Sequence, residues 1–368
     1  MGVMRAIGLM SGTSLDGVDV ALVETDGERA VKLGPTGYRA YSQADRKILR
    51  GALADAVPLT DRRARPGRLA EAERLVMEAH VEAVEAFLRE NGIGAESVKV
   101  VGFHGQTVLH RPEMELTVQI GDGPALARRL GIPVVYDFRA ADVAEGGQGA
   151  PLVPVFHRAL IHATGQRPPV AVLNIGGVAN VTFLESDDQL LAFDTGPGNA
   201  LIDDWVQERA DKAFDEGGGI AARGKPDEAL LAWLLVHPFF LREPPKSLDR
   251  NWFSHRMVAH LTLADGAATL AAFTARAVAR GLEFAAEEPR RWIVAGGGAQ
   301  NPELMRLLRQ QLKAEIVTAD EIGWSASHLE AQAFAYMAVR SLKGLPITFP
   351  STTGVREPTV GGVIARPA

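Results

Sequence analysis

Several short runs in this chain combine glycines with hydroxyl, amide and carboxylate side chains at spacings suited to phosphate or sugar chemistry. The first is Ser11-Gly12-Thr13-Ser14-Leu15-Asp16-Gly17-Val18-Asp19, set between the two apolar stretches of residues 7–23. Residues 171–184 repeat the device, with Gly176, Gly177 and Asn180 at the turn. A glycine-rich hairpin lets backbone approach a phosphate, because absent Cβ atoms leave room and positive φ angles let several N–H groups converge on one anion. One such hairpin is equally well a plain turn with a bulge. Two of them, far apart in sequence, point to a nucleotide held between two related domains. Gly296-Gly297-Gly298 lies between an apolar strand and a helix beginning near Asn301-Pro302. It serves either as a packing turn or as flat access to a helix amino terminus. Neither G-x-G-x-x-G with its downstream acid nor a Gly-Lys-Ser/Thr loop is present, so dinucleotide and P-loop chemistry are not indicated.

Asp194 is the carboxylate to single out. It opens Asp194-Thr-Gly-Pro-Gly-Asn199 after an apolar run, a setting that presents a side chain at a cleft edge or makes an Asx turn. Asp16 and Asp19 read as turn formers or as groups near phosphate. His104, beside Gln106 and Thr107, is a buried histidine or part of a polar pocket. Asp137 and Arg139 form an ion-pair segment, worth at most about 1 kcal/mol if exposed, or a substrate contact. Glu330 sits inside the apolar pattern of the last helix, an unusual place for a carboxylate.

The elements that would position these groups alternate as in α/β layers. Apolar spacing predicts a helix over 69–90 stopped by Asn91-Gly92, strands over 98–103, 116–120 and 132–136, and a helix over 124–130. In the second half, a strand over 190–193 leads through the Asp194 turn to a helix over 200–210, with Asn199 as N-cap. Helices are expected over 261–286 and 327–342, and a strand over 292–295. Loop composition around 164–169 sets a domain boundary, giving domains 1–165 and 166–368.

Composition excludes several classes. The 368 residues are 46% apolar and 23% charged, with net charge −6, so there is ample core and no basic footprint for nucleic acid. No cysteine is present, which removes disulfides, thiolate metal sites and thiol nucleophiles. The amino terminus enters a strand motif at once, and the apolar run near 230–241 is broken by His237-Pro238. No membrane segment and a cytoplasmic location are expected.

Residues 7–22, 102–107, 137–143 with 146–154, 173–183, 193–199, 294–301 and 328–336 together resemble the anhydro-N-acetylmuramic acid kinases, from the first strand to the last helix. Leu15 stands where family members more often carry Met. The resemblance implies two actin-like, ribonuclease H-like α/β domains flanking a nucleotide and sugar cleft, ATP with Mg²⁺, and a homodimer. It implies hydrolytic opening of 1,6-anhydro-N-acetylmuramic acid with phosphorylation of O6, in peptidoglycan recycling. By the same resemblance Asp194 is the catalytic base. Gly12 to Asp19, with Gly176, Gly177 and Asn180, cradle phosphates, and Gly296–Gly298 with Asn301 border the adenosine. His104, Gln106, Asp137, Arg139 and Glu330 contact the sugar, Arg139 through the lactyl carboxylate. No protein metal ligand is assigned. Two other readings share these features: a kinase of an open-chain amino sugar, and a non-enzymatic actin-like nucleotide switch.

Overall fold

The computed structural model describes residues 2–12, 14–187, 189–248 and 252–367. In chain order its strands are β1 (Met4–Ser11), β2 (Gly17–Thr25), β3 (Val31–Ala40), β4 (Val100–Arg111), β5 (Leu116–Ile120), β6 (Val134–Tyr136), β7 (Val170–Ile175), β8 (Val178–Leu184), β9 (Leu190–Pro197), β10 (Arg291–Ala295), β11 (Glu315–Thr318) and β12 (Val363–Ala365). The chain divides into two compact units, Met1–Gly165 with His328–Ala368, and Gln166–Ser327. Residues 328–368, expected in the second domain, therefore belong to the first.

The first unit holds a seven-stranded sheet in the order β12-β6-β4-β1-β2-β3, with β5 paired to β4. The meander β1-β2-β3 is antiparallel, and β4 and β6 extend it in parallel from β1. Parallel strands covered by helices are apolar on both faces, and Ala6, Ile7 and Leu9 of β1 are fully buried. The helix Leu69–Glu90 falls on its expected bounds and buries Val76, Ala79, Val84 and Phe87.

Close backbone approach explains why the last helix returns to this unit. A Cβ on Gly8 of β1 would lie 1.8 Å from the Ala331 carbonyl oxygen, and one on Gly102 of β4 would lie 2.1 Å from that of Phe334. The helix Leu329–Leu342 thus rests on two glycines, presenting the small residues Ala331, Ala335 and Ala338 among its buried positions. Glycines inside strands that form no turn are the sequence trace of such an approach.

The second unit repeats the plan in a five-stranded sheet, β11-β10-β7-β8-β9. Here β7-β8-β9 is the antiparallel meander, and β10 and β11 continue it in parallel. Its core contains Phe183, Phe193, Trp205, Phe273 and Trp292, each at most 1% exposed. The helix expected over 261–286 runs Leu263–Arg280, capped by Thr262, and ends in a 3₁₀ turn at Gly281–Phe284. A three-strand antiparallel meander continued by parallel strands, twice over, is the two-domain actin-like architecture that the resemblance implies.

Candidate active site

Strand pairing in the second unit brings three polar residues into one row. Asn174 of β7 pairs with Asn180 of β8, which pairs with Asp194 of β9. Directly paired residues share a face of the sheet, so the three side chains are neighbours across it. β9 is an edge strand, and its outer side is met by a non-strand segment. The Asp194 N–H donates to the Lys246 carbonyl at 2.9 Å, and the Leu248 N–H donates to Asp194 Oδ2 at 2.8 Å. Burial pushes the Asp194 carboxyl up to about 7, against the opposing effect of the Leu248 N–H. The Asn180 amide oxygen is buried with no partner among the described residues. A carboxyl that titrates near neutrality beside an unspent acceptor is suited to take a proton from a water or hydroxyl.

The glycines of this unit sort by what a side chain would meet. A Cβ on Gly176 would find nothing closer than 3.8 Å, and one on Gly177 nothing closer than 3.5 Å. Their carbonyls accept from Asn199 and Gly198 N–H at 2.8 and 3.0 Å, which fixes the turn while leaving its outer side open. Gly198 is a packing glycine, since its Cβ would lie 2.3 Å from the Gly176 oxygen. The third glycine loop reaches the same place: a Cβ on Gly297 would lie 3.4 Å from Asn199 Nδ2, and one on Gly296 (φ 78°) would lie 2.5 Å from Asn174 Oδ1. Gly298 packs instead on Ile175.

Two asparagines at helix starts behave differently. Asn301 caps the helix Pro302–Gln311, its Oδ1 accepting from Glu303 and Leu304 N–H at 3.1 Å each, so that oxygen is already used. Asn199 makes no side-chain cap, contrary to expectation. Its backbone is already helical at φ −70°, ψ −25°, whereas a capping side chain needs an extended one.

In the first unit, Thr13 lies outside the described residues. The turn from β1 to β2 takes its positive φ at Leu15 (55°), not at the glycines expected to supply it. Leu15 and Val18 bury their side chains in the core, which leaves only their backbone for a ligand. Asp16 acts as a turn former, Oδ1 accepting from Ser14 Oγ at 2.7 Å and from Gly17 N–H at 2.9 Å. A Cβ on Gly12 would meet only Ser14 Oγ at 3.7 Å, whereas one on Gly17 would lie 2.4 Å from the Arg39 carbonyl. Gln106 braces this turn: Ser11 Oγ donates to its Oε1 at 2.6 Å and its Nε2 donates to the Gly12 carbonyl at 3.1 Å.

Asp19, Glu330, Arg139 and His104 form a chain of interactions. Burial, then the charges of Asp16 and Glu330, raise Asp19 to about 7, and His328 Nε2 lies 3.8 Å from its Oδ1. Glu330 also faces Arg139, favouring the charge that burial opposes. His104 is buried and held down to about 3, by burial first and by Arg139 second. It is therefore neutral, donating from Nδ1 to the Gly105 carbonyl at 2.9 Å and accepting at Nε2 from Arg139 Nη2 at 3.0 Å. Arg139 Nη1 donates to the Gly149 carbonyl at 2.7 Å. The Asp137–Arg139 ion pair does not form. Asp137 takes a left-handed backbone (φ 59°) and accepts instead from Arg62 Nη2 at 2.6 Å. Non-glycine residues in that region are strained, and Leu15 and Asp137 share it with Glu115 and Asp211. Among the described residues no group of three or more His, Asp or Glu side chains is arranged to hold a metal.

Sequence reading passed over Asn174, Tyr41, Arg62, His328 and the Leu248 N–H. Asn174 had a signal, since a three-residue turn over 176–178 puts it opposite Asn180. Tyr41, 3.1 Å from Ser11 Oγ, and Arg62 are brought in by tertiary contacts with no local trace.

A family model described as anhydro-N-acetylmuramic acid kinase matches residues 4–367. A protein of that name from Methylobacterium nodulans is 66% identical over 374 residues, covering 99% of this chain and all of the relative. Another from Methylorubrum extorquens is 62% identical, with both chains fully covered. A third, from Rhodopseudomonas palustris strain CGA009, is 58% identical over 99% of this chain and all of its own.

Proposed function

The chain belongs to the anhydro-N-acetylmuramic acid kinase family, and on that premise we propose that Asp194 is the base through which it opens 1,6-anhydro-N-acetylmuramic acid with water while ATP phosphorylates O6. Water attacks C1 and gives its proton to the Asp194 carboxylate; the C1–O6 bond breaks; O6 takes the γ-phosphoryl group; ADP leaves with N-acetylmuramic acid 6-phosphate. The observation that carries this reading is a half-buried carboxylate pushed up to about 7 by its desolvation and held by the Leu248 N–H. A positioned base contributes roughly 10²–10⁴-fold in rate, and its pKa is best placed near the working pH.

The open sides of Gly12, Gly176, Gly177 and Gly297 support phosphate and nucleotide contacts through backbone, because a Cβ would fill the space a ligand needs. Leu15 and Val18 take part by backbone alone. The Thr13 hydroxyl would add a donor to the same phosphates, Ser14 Oγ having given its proton to Asp16 Oδ1, and Asn301 would border the adenosine from its capping position. Asn180, whose amide oxygen has no partner among the described residues, would orient the attacking water or a sugar hydroxyl. Arg139 and His104, already joined, would meet the sugar as one unit, and Glu330 would bind beside them. Gln106 would act through the turn it braces.

Mg²⁺ fits this chain as an ion bound chiefly by phosphate oxygens and water, with one carboxylate. Asp19, crowded by Asp16 and Glu330, is the oxygen donor whose charge a cation would relieve. When bound, the ion would neutralise charge on the transferring phosphoryl group. Dependence on ATP also supports a cytoplasmic location, and the family resemblance supports a homodimer.

The test is Asp194→Asn in the full chain. Turnover should fall by at least about 10²-fold while ATP binding stays near wild type. Substantial remaining turnover would end the base assignment. Equal phosphorylation of an open-chain amino sugar by the wild-type protein would overturn the anhydro-bond step while keeping the kinase.

A further inference from the structure

We propose that Lys246 is a positioning residue for this reaction, anchoring the segment 246–248 whose backbone holds the Asp194 carboxylate at the open edge of the sheet. The inference rests on the reading of Asp194 as the base. Lys246 is only 3% exposed, a burial rare for lysine without a paired charge, and it makes no ion pair among the described residues. Its ammonium sits instead in a box of aromatic rings, 4.2 Å from the Phe284 centroid, 5.1 Å from Phe239 and 5.6 Å from Phe193. Cations within about 6 Å of a ring face are attracted to it, more so when desolvated. Nζ also donates to the Phe239 and Phe240 carbonyls at 3.3 and 3.4 Å, in the short helix Pro238–Leu241.

The two ends of this residue do different things. Its side chain is gripped by Phe193, the residue immediately before Asp194 in β9, and by the carbonyls of a neighbouring helix. Its own carbonyl accepts the Asp194 N–H, and two residues later the Leu248 N–H reaches Asp194 Oδ2. An edge strand has no further strand to fix its outer side. The anchored segment supplies that constraint. Charged groups around the box are Arg280 and Arg242, which disfavour the ammonium, and Glu243 and Glu283, which favour it; burial is the largest effect and holds Lys246 down to about 8.

Releasing the anchor loosens Leu248, and the carboxylate loses the hydrogen bond that favours its ionised form. Its pKa then rises, so the acid limb of the kcat profile moves to higher pH. In the full chain, Lys246→Met keeps the apolar stem while removing the cation and both hydrogen bonds. We expect kcat to fall by about 10-fold, KM for ATP and sugar to stay within about twofold, and the acid limb to move up by about one pH unit. Lys246→Arg should restore part of kcat and most of the limb position. A purely structural lysine would lower the melting temperature of Lys246→Met and leave kcat and the limb at wild-type values, and that result would overturn the proposal. Should Lys246→Met not fold, Phe284→Leu removes the nearest ring and keeps the lysine. It should move the limb the same way by a smaller amount, and an unmoved limb would equally overturn the proposal. Asp194→Asn separates the two claims: turnover retained there defeats the base reading itself, whereas an inactive Asp194→Asn beside unmoved Lys246 and Phe284 variants defeats only this inference.

Discussion

Asp194 carries a stability consequence as well as a catalytic one. A carboxyl raised from 3.8 to about 7 on folding binds its proton more tightly in the native state, so its contribution falls as pH rises through that window and is flat above it. Asparagine cannot ionise. The melting temperature of Asp194→Asn should therefore exceed wild type at pH 8, with the margin shrinking toward pH 4; an equal margin at both would contradict the burial that sets the shift. The choice of Asp194 was legible because an acid before Thr-Gly-Pro-Gly is conspicuous in sequence. The Leu248 N–H that holds it was not, since 54 positions separate the two residues. His104 shows the opposite limit: its burial was open to expectation, but its neutral state follows from that burial and then from the Arg139 guanidinium, which only the fold brings to Nε2.

Among the elements, glycines distinguish packing from binding. Gly8→Ala would drive a Cβ into the Ala331 backbone, so the helix Leu329–Leu342 must shift, carrying Glu330 with it. We expect a loss of about 1–3 kcal/mol by denaturant melting together with reduced kcat. Gly176→Ala has room for its Cβ and should stay within about 1 kcal/mol of wild type while raising KM for ATP severalfold. The reverse pattern in the two variants would show that the roles had been exchanged. Regular elements with strong periodicity were readable, the helix Leu69–Glu90 most plainly. Local cues failed where geometry is set from outside: Asn199 has a capping residue's chemistry without its backbone, and the first turn's strained φ falls on Leu15. The strand expected over 98–103 continues to Arg111, because His104 and Gln106 are polar residues held inside β4 by buried partners.

For the whole chain, the return of the carboxyl-terminal segment to the first unit is the feature sequence order concealed. Its trace was indirect, two glycines in strand interiors and a helix rich in alanine. A chain ending at Ser327 would lack the helix that covers Gly8 and Gly102, and the first unit should lose its cooperative melting transition. A truncated chain that melts like the full one would refute that dependence. Light scattering after size exclusion tests the proposed homodimer, expected at twice the 39.4 kDa of one chain.

The most direct test of the central claim is to run the reaction with ATP, Mg²⁺ and 1,6-anhydro-N-acetylmuramic acid in ¹⁸O-labelled water and weigh the product. Coupled hydrolysis and transfer predict a sugar 6-phosphate carrying one solvent oxygen at C1. A phosphorylated product with the anhydro bridge intact, or ADP released without any sugar phosphate, would contradict it.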